Sequence, residues 1–301
     1  MDDIDRFLQE DLGDRGDITS EALLKDEEGI AFIKAKENCI LAGLEEAIEV
    51  FKRLNCKTSA LKTDGDEIKA GEKILEIKGK VKKILTGERL ALNFICRMSG
   101  IASLTHELTK ICRKKNPNVQ IAATRKTTPG FRKYEKKAVK IGGGEPHRMG
   151  LYDGILIKDN HLACLSLREA IRKAKKTGMK IEVEVESVED AVIAAEEGAD
   201  IIDVGGMSTA PYKKTYVSCE VELNRVIPVV KALKRDLDAC ISIDTQRSRV
   251  AEEAVKSGAE IINDVSGLKA DDKMAGVVAE YDVSAIVMAR EGKPLGGDPI
   301  E

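Results

Sequence analysis

Positively charged side chains follow two short apolar segments in the middle of the chain, and a further pair lies between them. The apolar segments, at 119–124 and 154–158, have the composition of buried strands. Arg binds planar carboxylates through two hydrogen bonds, and Lys suits phosphates as a point charge. The cations are Arg125, Lys126, His147, Arg148 and Lys158. Their spacing predicts a site for a small ligand with several separated negative charges.

These residues also have less specific interpretations. Any one of them could be an ordinary ion-pair residue, and His147 could equally be a structural histidine. Five such residues at loop and strand ends within 34 positions favour the anion site. The triplet Gly142-Gly143-Gly144 could cradle a phosphate, or it could end a helix and allow a tight turn.

The segment 180–186 alternates glutamate with apolar residues. This period of two puts the apolar side chains on one face of a strand and three glutamates, with Glu184 in the middle, on the other. In a barrel the apolar face meets the helices, so the glutamates point inward, where carboxylates need partners. Lys126 and Lys158, at neighbouring strand ends, are the predicted partners. The alternative is an edge strand with a solvated acidic face.

Composition sets the class of protein. The chain has 301 residues, 43% of them hydrophobic and 3% aromatic, which predicts a large aliphatic core and two domains. Its seven dispersed cysteines lack metal-ligand spacing and favour reduced thiols in the cytoplasm. No apolar run reaches the roughly 18 residues of a membrane span.

The formal net charge of −3 is unevenly distributed. Residues 110–180 contain 19 Lys and Arg but five Asp and Glu, so the rest of the chain is acidic. A basic block could bind nucleic acid, or it could be the solvated face of a helix. No aromatic residues are interleaved with the cations, which weighs against single-stranded nucleic acid. We therefore expect small-molecule substrates, with no nucleic acid and no membrane as partners.

The order of predicted elements gives the fold class, α/β. Residues 1–115 mix helices with short strands, including a strand pair at 29–41 and one or two buried helices over 87–112, and predict an α+β sandwich-like domain. From 116 to 301 strands and helices alternate, which predicts a parallel, TIM-like α/β barrel with catalytic groups at the carboxyl ends of its strands. Seven strands rather than eight predict a barrel that is open or incomplete, or that recruits another segment to close. The strands are expected at 119–124, 154–158, 181–186, 200–204, 240–244, 260–264 and 283–288.

Several motifs, in this order and spacing, carry a family resemblance over about residues 1–202. They are Asp11–Ser20, Gly87–Ala102, Thr124–Gly130, Gly142–Leu151, Ile157–His161 and Glu182–Val185. This part of the chain resembles quinolinate phosphoribosyltransferase, the decarboxylating enzyme that forms nicotinate mononucleotide in NAD synthesis.

The resemblance implies roles for particular residues. Arg125, Lys126, His147, Arg148 and Lys158 would line the pocket for quinolinate and phosphoribosyl diphosphate. Lys126, Lys158 and Glu184 would be the catalytic residues, and Glu184 would serve the ribose or its Mg²⁺. Arg89 would reach into the partner subunit's site in a homodimer or larger homo-oligomer.

The implied reaction is a glycosyl transfer. Diphosphate leaves the ribose together with its Mg²⁺, the pyridine nitrogen attacks the oxocarbenium-like centre, and the 2-carboxylate is lost as CO₂. In this family an acidic residue is expected at the position of Gly205, although Asp203 lies two residues earlier on the same face. The family's later phosphate-binding strand ends have no counterpart here. Because losing one electrostatic stabiliser commonly costs about 10²–10³ in rate, weak or absent turnover is expected.

From residue 198 onward the chain instead resembles dihydropteroate synthase. Residues 198–209, 241–245 and 261–267 match the strand ends of that family's pterin side, although its opening strand is missing. This second resemblance implies that Asp244 and Asn263 bind a pterin, with Thr209 near the aminobenzoate or diphosphate position. The barrel therefore looks like a hybrid, with a phosphoribosyltransferase-like part at 116–202 and a pterin-binding-like part at 198–301. A pterin-binding protein and an inactive hybrid are the alternative functions.

Overall fold

The computed structural model describes residues 2–113, 121–185, 187–207, 216–236 and 240–287. The chain forms two compact units. The first unit is Met1–Glu107 with Pro129–Gly144, and the second is Leu108–Thr128 with Glu145–Glu301. The domain boundary expected between residues 115 and 116 stays a prediction.

The first unit mixes helices and short strands. Up to the long helix the order is α1 (Asp3–Leu12), α2 (Ile18–Leu23), β1 (Glu28–Lys34), β2 (Cys39–Ile40), α3 (Leu44–Arg53), β3 (Lys57–Ala60), β4 (Glu67–Ile68), β5 (Lys73–Lys80) and α4 (Val81–Arg113). Strand β6 (Ile121–Ala123) and helix α5 (Arg132–Ile141) follow, and α5 belongs to the first unit.

The strand pair predicted at 29–41 is wrong as a pair, although both strands exist. Strand β1 lies in an antiparallel sheet of order β1-β5-β3, whereas β2 pairs with β4. The segment between them is bound elsewhere, because the Asn38 side chain accepts from the Ala70 N–H at 3.0 Å and the Ala35 carbonyl accepts from the Gly71 N–H at 2.8 Å. These contacts turn the chain toward residues 69–72 and prevent a hairpin.

Helix α4 is continuous through Ser99-Gly100, which confirms one long helix. The Ser99 hydroxyl accepts from the Ala42 N–H at 3.0 Å and donates to the Ala42 carbonyl at 3.1 Å, so it anchors a neighbouring loop without breaking the helix. Gly142 caps the end of α5 and packs against the backbone of Ala102. The glycine triplet therefore ends helix α5 at a point where the Ala102 backbone leaves no space for a side chain on Gly142.

The second unit is built on a parallel sheet of seven strands, in the order β6-β12-β11-β10-β9-β8-β7. After β6 these are β7 (Ile155–Ile157), β8 (Ile181–Val185), β9 (Ile201–Gly205), β10 (Cys240–Asp244), β11 (Ile261–Asp264) and β12 (Ser284–Val287). The intervening helices are α6 (Asp159–Leu162), α7 (Leu167–Lys175), α8 (Val188–Glu196), α9 (Cys219–Asp236), α10 (Ser248–Lys256) and α11 (Met274–Glu280). All seven predicted strands are confirmed.

The sheet is an open, TIM-like barrel whose edge strands are β6 and β7. At the free edge of β6, Glu145 forms a parallel bridge with Ala122. The Ala123 N–H donates to the Glu145 carbonyl at 3.0 Å, and the Glu145 N–H donates to the Ile121 carbonyl at 2.8 Å. A single residue thus pairs with this edge where a closed barrel would have a further strand.

Alternation along the strands separates the core from the barrel interior. On β8 the side chains of Ile181, Val183 and Val185 are buried in the apolar core with the helices, as predicted. The glutamates between them face the other way, into the barrel. Because β8 lies between β7 and β9, the alternative of a solvated edge strand is wrong. Among the described helices, none is long and apolar enough to cross a membrane.

Candidate active site

Charged and polar side chains fill the carboxyl end of the barrel interior in two adjacent layers set by strand register. In the first layer Glu184 pairs with Asp203, and Asp203 pairs with Ser242. In the second, Gly205 pairs with Asp244, and Asp244 pairs with Asn263. Because the strands are parallel, their carboxyl ends lie at one end of the barrel, where these side chains form one polar chamber.

Lys158, at the end of β7, forms an ion pair with Glu184 of β8. The Lys158 backbone is held by His161, whose Nδ1 accepts from the Lys158 N–H at 3.0 Å. Both charged side chains remain substantially exposed, at 42% for Lys158 and 38% for Glu184. The pair is therefore fixed in position and accessible to a ligand.

The charges of Arg125 and Arg148 act on each other. Burial lowers the pKa of Arg148, and the charge of Arg125 lowers it further. One Arg148 nitrogen donates to the Gly154 carbonyl at 3.1 Å, which orients the guanidinium group. The buried Nε of Arg125 has no hydrogen-bond partner among the described residues. Two partly buried guanidinium groups whose charges act on each other favour binding of an anion with planar oxygen pairs.

His147 adopts a left-handed backbone conformation with φ 53°. Such a conformation is uncommon for residues other than glycine and often occurs at functional sites. The His147 Nε2 lies 4.0 Å from Glu182 Oε2. The loop therefore directs this imidazole toward the barrel interior beside Arg148.

Glu182 is a partly buried acid of the chamber with a perturbed pKa. Its pKa is raised to about 7, chiefly by burial and then by the charges of Asp203 and Glu184, although Arg148 and Lys158 lower it. A carboxyl group with this pKa exchanges its proton near neutral pH.

Two aspartates lie deeper in the chamber. Burial is the main cause that raises the pKa of Asp203, and the Ser242 and Asn263 side chains lower it. The Asn263 amide donates to Asp203 Oδ2 at 3.0 Å. The pKa of Asp244 is raised well above its ordinary range by burial and by Asp203, whereas Lys126 lowers it. Within the described part of the chain, neither Asp203 Oδ1 nor Asp244 Oδ1 has a hydrogen-bond partner.

The structure places most of the predicted site residues at this end of the second unit. Lys126 is exposed, and its positive charge lowers the pKa of Asp244. Strands β6 and β7, which precede Lys126 and Lys158, are the opposite edges of the sheet rather than neighbours, so that part of the expectation is wrong. Arg89 is exposed on α4 in the first unit. Thr209 lies outside the described residues.

Sequence reasoning left three chamber residues outside the predicted site. Glu182 and Asp203 could have been included from their spacing, since each lies two residues from a position already considered. Ser242 gives no such signal. The same holds for Glu222, a fully buried acid on α9 that accepts from Thr245 at 2.6 Å and forms an ion pair with Arg247.

The donor set of the chamber fits a Mg²⁺ ion that arrives with a diphosphate. Mg²⁺ in such sites is commonly bound by one or two carboxylates together with substrate phosphates. Glu184, Asp203 and Asp244 supply carboxylate oxygens, two of them buried without hydrogen-bond partners among the described residues. No preformed group of three or more metal-binding side chains occurs in the described ranges.

An open parallel α/β barrel with this chamber defines an enzyme that acts on small anionic molecules. Family models match quinolinate phosphoribosyl transferase over residues 17–99 for its N-terminal domain and 101–230 for its C-terminal domain. A model of pterin binding enzymes matches residues 173–298. The overlap contains the join predicted at 198–202, and both resemblances are confirmed.

Relatives agree with the first of these families. A probable nicotinate-nucleotide pyrophosphorylase (carboxylating) of Methanothermobacter thermautotrophicus is 41% identical over 225 residues, which cover 73% of this chain and 80% of the relative. One of the same name from Archaeoglobus fulgidus is 46% identical over 188 residues, which cover 62% of this chain and 72% of the relative. The nicotinate-nucleotide pyrophosphorylase structure from Ehrlichia chaffeensis superposes with a TM-score of 0.73 at 28% identity, covering 95% of this chain and 91% of that one.

The chain belongs to the quinolinate phosphoribosyltransferase family, the nicotinate-nucleotide pyrophosphorylases (carboxylating). Structural similarity over 95% of the chain extends beyond residue 202, where the sequence resemblance changes. The barrel of this family is thus retained through the pterin-binding-like part.

Proposed function

We propose that this protein transfers the phosphoribosyl group of phosphoribosyl diphosphate to the ring nitrogen of quinolinate and releases the 2-carboxylate as CO₂, forming nicotinate mononucleotide. The supporting observation is that the Arg125–Arg148 pair and the Lys158–Glu184 ion pair meet at the carboxyl end of one barrel. Family membership supports the same reaction.

Quinolinate carries two adjacent carboxylates, and the guanidinium pair suits them. Arg125 and Arg148 would each bind a carboxylate, with His147 on the same loop as Arg148. Binding an anion between them relieves the repulsion that lowers the pKa of Arg148. The Gly154 carbonyl orients the Arg148 guanidinium, which would hold the quinolinate ring in a fixed position before reaction.

Phosphoribosyl diphosphate carries its charge on phosphates and its hydroxyls on ribose. Lys126 and Lys158 would bind phosphate oxygens as point charges, and Glu184 would accept from a ribose hydroxyl or bind the substrate's Mg²⁺. When bound, that Mg²⁺ offsets negative charge on the departing diphosphate. Ion pairing with Glu184 keeps the Lys158 ammonium in place without a ligand.

The transfer breaks the bond between C1′ of the ribose and a diphosphate oxygen, and the electron pair leaves with diphosphate. The lone pair of the pyridine nitrogen forms the new bond to C1′. The carbon at position 2 then loses CO₂, keeps the electron pair and takes a proton from solvent. Fixed cations stabilise the charge that develops in both steps, and such stabilisation is usually the largest catalytic contribution.

The assembly and location follow from the same proposal. The protein would act as a homodimer, with Arg89 of one subunit completing the partner subunit's site. Leu151 and Tyr152, 77% and 81% exposed beside the Arg148 loop, are apolar side chains that a second copy would cover. A cytoplasmic location agrees with the free thiols of the described cysteines.

Calorimetric titration tests the ligand before any turnover is measured. Quinolinate should bind the wild-type protein, Arg148→Ala should abolish binding, and Arg172→Ala, which removes an exposed arginine of α7, should not. A parallel titration with a pterin tests the alternative. Binding of a pterin that is lost in Asp244→Ala, without binding of quinolinate, would contradict the proposal.

A further inference from the structure

Position 205 lacks a side chain where the phosphoribosyltransferase pattern places an acid, and the neighbouring strand brings a carboxylate to the same layer. Gly205 pairs in register with Asp244. Among the described residues, a Cβ atom added at Gly205 would meet one atom within 4 Å, the Cβ of Asp244, at 3.8 Å. A carboxylate on residue 205 and the carboxylate on Asp244 would therefore start from adjacent points on the chamber wall.

Asp203 is the other candidate, and it is less accessible to a ligand than Asp244. It lies one layer deeper, in register with Glu184 and Ser242, and it is 4% exposed. One of its oxygens already accepts from the Asn263 amide at 3.0 Å. Asp244 is the last residue of β10 and is partly exposed. The positive charge of Lys126 lowers its pKa.

Two observations indicate that the chamber is built for a ligand at this point. Asp203 Oδ1 and Asp244 Oδ1 are buried, and neither has a hydrogen-bond partner in the described part of the chain. Buried polar atoms are nearly always satisfied, and an exception points to a bound group. Lys126 and Lys158, on the two strands that flank the barrel opening, would bring phosphates close to these oxygens.

We infer that Asp244, which belongs to the pterin-binding-like part of the sequence, supplies the second carboxylate for phosphoribosyl diphosphate in place of an acid at position 205. This inference rests on the proposed function and identifies a further substrate-binding residue for it. The carboxylate of Asp244, on the second strand from that of Glu184, accepts from the ribose hydroxyls or binds the substrate's Mg²⁺. The hybrid sequence thus retains two acids at the site, one from each part.

Titration with phosphoribosyl diphosphate tests the role of Asp244 without turnover. Benzene-1,2-dicarboxylate is added to saturation, because it has two adjacent carboxylates like quinolinate but no ring nitrogen to react. Wild type, Asp244→Asn and the double variant Gly205→Asp/Asp244→Asn are compared, once with Mg²⁺ and once with a chelator. The chelator separates contact with ribose from contact through Mg²⁺, and loss in either condition supports the inference.

Asp244→Asn should weaken binding about 10- to 100-fold, the usual effect of losing a hydrogen bond to a charged group. The double variant should bind phosphoribosyl diphosphate at least tenfold more tightly than Asp244→Asn, because the described residues around Gly205 leave room for the new side chain. Asp264→Asn is the matched control, since Asp264 is fully buried but faces the helices and binds the 266–268 turn. It should lower the melting temperature and leave the affinity unchanged.

Unchanged affinity in Asp244→Asn would overturn the inference. If that variant does not fold, as judged by its circular dichroism, Asp244→Ser replaces it and the same criterion applies. Loss of affinity in Asp244→Asn with no nicotinate mononucleotide formed by wild type would contradict the proposed reaction but support Asp244 as a ligand for phosphoribosyl diphosphate. Turnover by wild type with unchanged affinity in the variant would contradict only the role of Asp244.

Discussion

Lys158 and Glu184 form an ion pair across the carboxyl ends of two paired strands, β7 and β8. Both side chains are more than a third exposed, so the pair contributes no more than about 1 kcal/mol to folding. Glu184 also lies beside Asp203, which is unfavourable for two carboxylates. The arrangement is better explained by ligand binding than by stability.

Removing the Lys158 charge should reduce turnover and leave folding largely intact. Lys158→Met should lower kcat about 10²–10³-fold, because a fixed cation would no longer offset charge on the leaving diphosphate. Steady-state kinetics of nicotinate mononucleotide formation measure the effect. Lys173→Met, which removes an exposed lysine of α7 paired with Glu169, is the matched control and should retain wild-type kcat. Equal rates in the two variants would contradict a catalytic role for Lys158.

Burial of Glu182 should make the protein less stable as pH rises. Its pKa in the folded protein is about 7, against an ordinary value of 4.5, so the folded state binds more protons between these values. The free energy of unfolding therefore falls as pH increases through this window, by at most about 3 kcal/mol from Glu182. The raised pKa values of Asp203 and Asp244 act in the same direction.

Urea unfolding of wild type and Glu182→Gln at pH 5 and pH 8 checks this dependence. Glutamine cannot ionise, so the variant should lose less stability than wild type between the two pH values. A wild-type protein that is more stable at pH 8 than at pH 5 would contradict the prediction. It would show that ionising Glu182 and its neighbours costs the folded state little free energy.

Two inactive variants should restore activity when they share a dimer. Arg89→Ala and Arg148→Ala should each be nearly inactive, but a mixed dimer would contain one site with both arginines intact if Arg89 acts in the partner's site. The purified mixed dimers should have about half of the wild-type activity, because one of their two sites is intact. Co-expression with different tags and assay of the doubly purified protein measures it. A mixture of Arg148→Ala with Lys158→Met is the control and should stay inactive.

Adjacent glycines at the end of β9 should respond differently to alanine. A Cβ at Gly206 would lie 2.8 Å from Val226 Cγ2 and 2.9 Å from Glu222 Cγ, whereas a Cβ at Gly205 faces the chamber. Gly206→Ala should therefore cost about 1–3 kcal/mol of stability through overpacking, and Gly205→Ala should have little effect. Thermal unfolding measures the stability of both variants. A Gly205→Ala variant as unstable as Gly206→Ala would contradict the packing described.

Much of the barrel could be predicted because its signals are local. The alternation at 180–186 predicts both the buried face of β8 and the inward glutamates, and Ser166 and Ser187 cap the helices that they precede, each accepting from the N–H three residues later. The positions of Arg125 and Lys158 after β6 and β7 predict that both lie at the carboxyl end of the barrel.

Relationships between distant segments could not be predicted. The pairing of Gly205 with Asp244 depends on the register of β9 and β10. The binding of residues 35–38 to the 69–72 turn likewise depends on contacts far along the chain. Sequence alternation fixes which face a residue occupies, but the layer of the barrel in which it lies depends on packing.

The most direct test of the proposed reaction is the yield of nicotinate mononucleotide and CO₂ from purified protein with quinolinate, phosphoribosyl diphosphate and Mg²⁺. We expect one CO₂ for each nucleotide formed, and at least a 100-fold slower reaction in Arg148→Ala. Folded wild-type protein that forms no nucleotide, or that forms it equally fast without the Arg148 side chain, would contradict the account.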